Sequence, residues 1–98
     1  MTNARFDPLI HAPNRLQICA FLYPIQEAEF QVLRDDLAVS DSVLSKHFKK
    51  LEDAGYIRFR KAAVDGRQRV WASLTTQGRK AFAGHVEELK RITLTVVE

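Results

Sequence analysis

The sequence predicts an α+β fold in which three helices form a core, a β-hairpin follows them, and a last long helix comes after the hairpin. Three observations carry this prediction. Apolar side chains recur at helical spacing between Ser40 and Gly55. Apolar and polar side chains then alternate on both sides of an Asp65-Gly66 turn signal. The length of 98 residues suits one domain, so we expect residues 1–98 to form a single unit.

The segment from Ser40 to Gly55 has the features of a complete helix. Ser40 suits the N-cap, and Asp41 places negative charge in the first turn, where the helix dipole favours it. Gly55 suits the left-handed residue that follows the last turn. One face carries an apolar stripe, which we expect to be buried and which consists of Leu44, His47, Phe48 and Leu51.

A second face of this third helix is polar and basic. Its residues share helical spacing, include no acid, and are Ser42, Ser45, Lys46 and Lys49. Hydroxyl and ammonium groups of this kind can reach phosphates and base edges. The pattern therefore suits a helix that lies in the major groove of DNA.

The hairpin is predicted from two alternating segments, Tyr56 to Lys61 and Arg69 to Leu74. The connection from Ala62 to Gln68 contains Asp65-Gly66, and we expect it to be longer than a two-residue hairpin turn. A helix, a glycine stop and a basic hairpin in this order are typical of a helix-turn-helix with a wing.

The first two helices follow from apolar spacing and proline positions. After a loose arm over Met1 to Phe6, helix 1 is predicted from about Pro13 to Leu22, and Tyr23-Pro24 ends it. Helix 2 is predicted over Ala28 to Leu37. It should cross the DNA backbone while the third helix enters the groove.

The last helix is predicted from about Gln77 to Thr95, with Thr75 or Thr76 as its cap. Its apolar residues form a coiled-coil-like seam that is too short to be stable alone. Helix 1 is also unusually wide in its apolar face. We therefore expect a homodimer in which the last helix is the dimerisation helix, with an interface of Leu16, Cys19, Phe82, Val86, Leu89, Ile92 and Val96. The alternative is that this helix packs back onto its own domain.

Charge is distributed unevenly along the chain. The net charge is only +3, from 15 basic and 12 acidic residues. The segment from Lys46 to Arg69, however, contains eight basic side chains and only three acidic ones, Glu52, Asp53 and Asp65. Such a segment indicates a surface that binds a polyanion, although a solvated charged surface is the plainer interpretation.

Several motifs resemble the winged-helix transcriptional regulators related to the MarR and ArsR families. Leu37 to Ser40 and Leu44 to Ile57 resemble their helix-turn-helix, and Leu74 to Arg79 resembles the L-T-x-x-G-R start of their last helix. Asp7 to Leu16 is similar to the beginning of their short stand-alone members, so the resemblance extends roughly from Asp7 to Leu89. It implies a winged helix-turn-helix fold and binding to double-stranded DNA, and it leaves the operator and any signal open.

The expected DNA contacts come from the third helix and the wing. Ser40 and Asp41 stand at the helix N-terminus, where backbone N–H groups can bind a phosphate. Arg67, beside Gly66, is the strongest wing candidate. The full predicted set is Ser40, Asp41, Ser42, Ser45, Lys46, Lys49, Lys61, Arg67 and Arg69. Trp71 shares a strand face with Arg69, and we expect it to pack across the strands, on Tyr56 or Arg58, rather than stack on a base.

The potential metal ligands His11, Cys19, His47 and His85 lack the spacing of a metal site, so we expect no metal and no cofactor. His47 is expected to be a core histidine bonded to nearby backbone, His85 a dimer contact, and His11 a residue that helps to start helix 1. Cys19 lies on an apolar face and is expected to be a buried thiol rather than a redox sensor. No phosphate-binding loop or nucleophile motif is present, so we expect no enzymatic activity.

Two other functions remain open. In the first, the third helix and the wing would dock an acidic protein partner, although exposed aromatic residues on that helix would be more typical of such a surface. In the second, a DNA-binding regulator would also receive a small-molecule or redox signal at the dimer interface, with the effector unknown. The chain shows no membrane-spanning run and no secretory signal pattern, so we expect a cytoplasmic protein without a membrane partner.

Overall fold

A computed structural model describes residues 4–97 of the chain. The elements in chain order are α1 (Pro8–His11), α2 (Arg15–Leu22), β1 (Ala28–Glu29), α3 (Phe30–Leu37), α4 (Asp41–Asp53), β2 (Ile57–Val64), β3 (Arg67–Leu74) and α5 (Thr76–Val97). The three strands form one antiparallel sheet in the order β1-β3-β2. The predicted α+β class, with three core helices (α2, α3, α4), a hairpin wing (β2, β3) and a last helix, is confirmed.

Helix α4 has the ends that the sequence predicts. The Ser40 hydroxyl accepts a hydrogen bond from the Val43 N–H at 3.2 Å and so caps the first turn. At the other end Gly55 has φ +80°, and the N–H groups of Gly55 and Tyr56 donate to carbonyls of the last helical turn. This pair of bonds is a Schellman motif. It turns the chain sharply into β2.

The core lies between the helices and one face of the sheet. Its fully buried aliphatic side chains come from α1, α2, α3 and α4, and they are Ile10, Ile18, Leu22, Leu33, Leu44 and Leu51. Ile57, Ala72 and Leu74 close it from the sheet. Phe48 of α4 joins helix to wing, because its ring lies 5.4 Å from that of Phe30 and 5.1 Å from that of Phe59. The position of α4 relative to the wing is therefore fixed by aromatic packing.

The hairpin turn is tighter than the sequence predicts. Val64 pairs directly with Arg67, so the connection consists of only Asp65 and Gly66. Their φ angles of +52° and +77° are those of a type I′ turn, whose twist matches that of the flanking strands. The expectation of a longer connection was wrong because residues 62–68 at the wing tip are mostly exposed on both faces. A strand without a buried face has no apolar alternation to reveal it.

Helix 2 of the prediction begins two residues too early. Ala28 and Glu29 form β1, which pairs with Ala72 and Trp71 of β3, and α3 begins at Phe30. A strand of two residues carries no periodicity of its own. Its existence depends on the distant strand β3, which local sequence patterns do not show.

A short helix, α1, directly follows the predicted loose arm, at residues where the sequence analysis predicts no element. The Asp7 carboxylate accepts hydrogen bonds from the N–H groups of Leu9 and Ile10, with Pro8 in the first turn, and these features create α1. The Arg5 N–H donates to the Gly84 carbonyl at 2.9 Å, so the segment is docked on α5. Helix α2 consequently begins at Arg15 rather than Pro13. Residues 1–3 of the predicted arm lie outside the described residues.

The first turns of helix α5 pack in the core, and its later turns extend away from the core. Thr75 is the cap, since its hydroxyl accepts the Gly78 N–H at 3.0 Å and donates to the Gly55 carbonyl at 2.6 Å. Phe82 is 8% exposed, whereas Ile92 is 52% and Val96 is 81% exposed. The 22 residues span roughly 33 Å at 1.5 Å per residue. Within residues 4–97, α5 and every shorter helix fall short of the combined length and apolarity needed to cross a membrane.

Candidate DNA-binding surface

The outer face of α4 presents the polar stripe that the sequence predicts. Ser42, Ser45, Lys46 and Lys49 are all exposed, on the side of the helix opposite its buried residues. The Lys49 ammonium lies 3.2 Å from the Asp53 carboxylate, an exposed pair one helical turn apart. Lys46 forms no ion pair with any residue that the structure describes. This face is therefore available to a large anionic partner.

The wing carries two exposed cations near its tip, Lys61 on β2 and Arg67 on β3. Neither is paired with a carboxylate among the described side chains. Arg69 differs, because its Nη1 lies 2.5 Å from Oε1 of Glu29 and its side chain is only 31% exposed. Arg69 is thus held against the β1 edge of the sheet.

A groove runs between α4 and the wing. It encloses about 550 Å³, and its floor consists of Phe30, Phe48, Phe59 and Val70. Ser45 and Lys49 line it on the helix side, and Lys61 lines it on the wing side. The fold therefore brings Ser45 and Lys49 of the helix close to Lys61 of the wing, although Lys61 lies at least twelve positions further along the sequence.

The N-terminus of α4 makes side-chain contacts that the sequence does not predict. The Ser40 hydroxyl is occupied by the Val43 N–H and lies 3.2 Å from the Ser42 hydroxyl. Oδ1 of Asp41 accepts a hydrogen bond from Nη1 of Arg34 at 2.9 Å. The hydrogen bond to Asp41 raises the pKa of the Arg34 guanidinium. The carboxylate is thus the partner of a cation on α3, and Arg34 is a residue that the sequence analysis missed.

Trp71 packs across the strands as predicted, but on a different residue. Arg60 is its cross-strand partner, and the guanidinium carbon lies 5.3 Å from the ring centroid. The same guanidinium donates two hydrogen bonds to the Glu27 carboxylate, from Nη2 to Oε1 at 2.5 Å and from Nε to Oε2 at 3.2 Å. This bond lowers the pKa of Glu27. The expectation of Tyr56 or Arg58 was wrong because the pairing register could not be fixed from the sequence.

His47 is half-buried and bonded to side chains rather than to backbone. Its Nδ1 lies 3.1 Å from Nη1 of Arg15, and its Nε2 lies 3.4 Å from Nδ2 of Asn14. Burial and the adjacent positive charges of Arg15 and Lys50 lower the pKa of His47. The residue joins α4 to the start of α2.

His85 is fully buried under α1, so the expectation of a dimer contact was wrong. Its Nδ1 accepts a hydrogen bond from the Asp7 N–H at 2.9 Å, and its Nε2 lies 3.1 Å from Nδ1 of His11. Asp7 also accepts the Tyr56 O–H at 2.6 Å, which raises the pKa of Tyr56 to about 12. Residues 4–97 contain no cluster of three or more His, Cys, Asp or Glu side chains suited to a metal ion.

The predicted interface residues differ in exposure, and Phe82 is buried. Leu16, Val86 and Leu89 are partly buried, while Ile92 and Val96 are exposed and continue the same seam of α5. Cys19 has no exposed surface, because it points into the core of its own chain. Burial, assisted by the Asp7 charge, raises the pKa of its thiol to about 12. A side chain without surface cannot contact a partner directly, so Cys19, unlike the prediction, does not contribute to a dimer interface.

Known structures and sequences resemble this arrangement over most of the chain. A transcriptional regulator homologue of Pyrococcus horikoshii OT3 superposes with a TM-score of 0.84 at 26% identity, covering 90% of this chain and 87% of that one. A Porphyromonas gingivalis W83 protein assigned to the MarR family of regulators superposes with a TM-score of 0.71, covering 88% and 82%. At 20% identity the second comparison shows the fold alone.

Sequence comparison gives the same result. An uncharacterized protein of Methanocaldococcus jannaschii is 32% identical over 82 residues, which are 84% of this chain and 89% of that protein. The family model described as a winged helix DNA-binding domain matches residues 14–93. This range includes α2 to α4, the whole wing and most of α5. The chain belongs to the family of winged-helix DNA-binding domains.

Proposed function

We propose that this chain is a transcriptional regulator that binds a pseudo-palindromic DNA site as a homodimer, with α4 in the major groove and the wing on the flanking backbone. The observation that carries the proposal is the groove between α4 and the wing. Ser45, Lys49 and the unpaired cation Lys61 line it, together with the carboxylates of Asp41 and Glu52, and the unpaired cation Arg67 lies further along the wing. Such an arrangement suits a duplex, because the helix can reach base edges while the wing neutralises phosphates.

The two parts of this surface have different proposed roles. Ser42, Ser45, Lys46 and Lys49 are the candidates for base contacts, since hydroxyl and ammonium groups can bond to base acceptors. Lys61 and Arg67 are the candidates for phosphate contacts, which contribute affinity for every sequence. Arg69 differs from these two residues because it is paired with the Glu29 carboxylate.

The proposed homodimer rests on α5. Ile92 and Val96 are exposed in the single chain and continue an apolar seam that begins at Val86 and Leu89. A second copy of α5 can cover this seam, with Leu16 and Phe82 at its core end. Two-fold symmetry then presents two α4 helices to successive major-groove faces, about 34 Å apart.

The first test is a fluorescence-anisotropy titration with the DNA upstream of the chain's own coding region, at two salt concentrations and with unrelated duplex as competitor. Tight binding that resists the competitor supports a sequence-specific regulator. Weak binding that the competitor abolishes reduces the proposal to a basic surface without sequence readout. An absence of binding at low salt contradicts the proposal and favours a winged helix that docks a protein partner.

A mutational comparison separates the two proposed roles. Arg67→Ala should weaken binding to all duplexes and reduce the slope of log K against log salt by about one unit. Ser45→Ala or Lys46→Ala should instead change the preference among base sequences. Lys90→Ala, which removes an exposed cation of α5, is the matched control and should change neither quantity. Equal losses on every sequence from the α4 variants would contradict base readout.

The redox version of the signalling alternative has little support in this structure. A reactive thiol needs exposure and a cationic neighbour, whereas Cys19 is fully buried beside the carboxylate of Asp7. A small-molecule signal is a separate matter. The solved NadR structure with 4-hydroxyphenylacetate shares this fold at 24% identity, and the chain spans 65% of its length.

A further inference from the structure

A second cavity lies next to the groove between α4 and the wing. It encloses about 400 Å³ where α3, the first turn of α4 and the outer half of β3 meet. Three arginines line it, namely Arg34, Arg67 and Arg69, and they come from two different elements. Two carboxylates, Glu29 and Asp41, line it as well. Such a concentration of guanidinium groups in one concave site indicates an anionic ligand.

Two of the three arginines are each held by one of these carboxylates. Nη1 of Arg34 lies 2.9 Å from Oδ1 of Asp41, and Nη1 of Arg69 lies 2.5 Å from Oε1 of Glu29. Both arginine side chains are 31% exposed, so their planar faces remain partly open to the cavity. Each pair joins neighbouring elements, α3 to α4 and β3 to β1. The carboxylate oxygens therefore contact the guanidinium edges that an oxyanion would use.

The cavity offers more donors than the two carboxylates satisfy. Arg67 is exposed and in no ion pair with the part of the chain that the structure describes. Gln31 and Gln68 add side-chain amide donors to the lining. An additional acceptor with several oxygens is the group that this arrangement lacks.

We infer that this cavity binds a backbone phosphate of DNA through Arg34, Arg67 and Arg69, and that Asp41 and Glu29 compete with the phosphate for two of these arginines. The inference rests on the proposed DNA-binding function. The partner is a phosphodiester of the duplex rather than a free anion, because the cavity shares Phe30, Asp41 and Val70 with the groove between α4 and the wing. A backbone that follows the wing across that groove passes over the arginines.

The competing carboxylates have a functional consequence. Phosphate contacts contribute equally to binding of every sequence, so acids that weaken them lower the affinity for non-specific DNA. Base contacts from α4 then account for a larger share of the total binding free energy. On this inference Asp41 opposes phosphate binding on every duplex, which reverses the role that its position at the helix N-terminus predicts.

The test compares Arg34→Gln, Asp41→Asn and the double variant in anisotropy titrations over a salt series. The probes are a duplex selected from random sequence by the wild-type chain and an unrelated duplex of equal length. Arg34→Gln should lose about 10-fold in affinity on both duplexes and reduce the salt slope by about one unit. Asp41→Asn should gain about 3-fold on both, because it releases Nη1 of Arg34 from its carboxylate partner while Nε stays bonded to Asp35, and the gain should vanish in the double variant.

Matched controls remove the effect of net charge. Arg91→Gln deletes a guanidinium paired with a carboxylate at the far end of α5, and Asp36→Asn deletes an exposed acid of α3 that does not line the cavity. Thermal unfolding of every variant shows whether the fold is retained. The controls should change affinity less than 2-fold at moderate salt, where charges beyond about 10 Å are screened.

Several outcomes overturn the inference. If Arg34→Gln keeps the wild-type salt slope while Arg67→Ala loses about one unit, the proposed function stands and this cavity is not a phosphate site. If Asp41→Asn gains equally with and without Arg34, the carboxylate does not act through that arginine, and the competition is refuted. If the wild-type chain binds neither duplex at low salt, the proposed function and this inference fail together.

Discussion

His85 is a buried imidazole whose two nitrogens are both committed. Nδ1 accepts the Asp7 N–H, so this nitrogen carries no proton, and Nε2 faces Nδ1 of His11. Protonation of Nδ1 would set two donors against each other in a site without solvent. Burial is the main cause that lowers the pKa of His85, the positive form of His11 lowers it further, and Asp7 opposes the shift. The residue therefore stabilises the fold in its neutral form.

The first prediction is a loss of stability on mild acidification that depends on His85. Because the folded-state pKa lies below the ordinary value of 6.5, the unfolded chain binds the proton more readily. Stability should be complete well above pH 6.5 and should fall as the pH decreases through the folded-state pKa, with a limiting slope of about 1.4 kcal/mol per pH unit. The measurement is chemical unfolding of the wild type and of His85→Asn between pH 5 and 8.

The comparison depends on how steeply the free energy of unfolding changes with pH, rather than on its absolute value. Asparagine keeps an acceptor for the Asp7 N–H but does not titrate. The His85→Asn variant should therefore be less stable than the wild type at pH 8, and its free energy of unfolding should change less with pH. His47 also has a lowered pKa and contributes with the same sign, so His47→Asn serves as the comparator and should flatten the profile separately. A His85→Asn profile as steep as that of the wild type would show that His85 is not the titrating group.

Cys19 gives the second prediction, since it is the single cysteine of the chain and is fully buried. With the pKa of its thiol raised to about 12, the thiolate that reacts with disulfide reagents is scarce at neutral pH. Labelling by a coloured disulfide reagent should be at least about 100-fold slower in the native protein than in denaturant. Native labelling at the rate of the unfolded chain would contradict this and reopen the redox alternative.

Helix α5 is positioned by the close contact of Gly78 with β2's entry turn. A Cβ at Gly78 would lie 2.0 Å from the backbone oxygen of Tyr56, an impossible distance. Gly66 at the wing tip has the opposite property, because its φ of +77° is strained for other residues but no described atom lies within 4 Å of a Cβ. The first glycine is required by packing and the second by backbone conformation.

The third prediction therefore compares two glycine substitutions. Gly78→Ala should destabilise the protein by about 3 kcal/mol or more, since backbone must move to admit the methyl group. Gly66→Ala should cost only about 1 kcal/mol, the cost of a left-handed conformation with a side chain. Urea unfolding of both variants at one pH measures the difference. Equal costs would indicate that α5 can shift on Tyr56 without strain.

The sequence predicts the elements that local patterns define. Helix α4 could be placed because Ser40, Gly55 and the buried stripe all lie within one segment. The wing could be placed because Ile57 and Phe59 alternate with basic residues. Where burial vanishes, at the wing tip, the pattern ends before the strand does. The short strand β1 and helix α1 were missed because each depends on few residues.

In the candidate site, too, local patterns predict some features, whereas contacts between different elements could not be predicted. The exposed stripe of α4 could be predicted because its spacing is set by the helix itself. The partners of Asp41, Arg69 and Trp71 could not, since Arg34, Glu29 and Arg60 lie on other elements and contact them only after the fold has formed. The Asp7-Pro8 pair was the one available local signal for α1, as an N-cap followed by a first-turn proline.

The molecule as a whole has a core at one end and an exposed apolar helix at the other. Its extents are 51 × 26 × 21 Å, and the far half of α5 is exposed in the single chain. Ile92, Leu94 and Val96 are between 52% and 81% exposed there. A second copy of the chain is the partner that two-fold recognition of DNA requires. The proposed interface therefore covers the exposed seam of α5, and its geometry sets the spacing of the two α4 helices.

The fourth prediction is that Ile92→Glu converts the proposed dimer into a folded monomer. Ile92 is already 52% exposed in the single chain, so the substitution should leave the unfolding midpoint of the monomer almost unchanged. In the dimer it would bury an unpaired carboxylate of each copy in an apolar seam, at a cost of about 3 kcal/mol or more, which is roughly a 100-fold weaker association. Leu94→Glu is the control, because Leu94 is 63% exposed but lies off the seam.

Light scattering at several concentrations measures the mass of the particle, and anisotropy titration measures binding to a full site and to a half-site. The variant should bind both sites with the weak affinity of one copy, whereas the control should keep the preference for the full site. A dimer that survives Ile92→Glu would exclude this seam as the interface and leave the spacing of the two α4 helices to another surface.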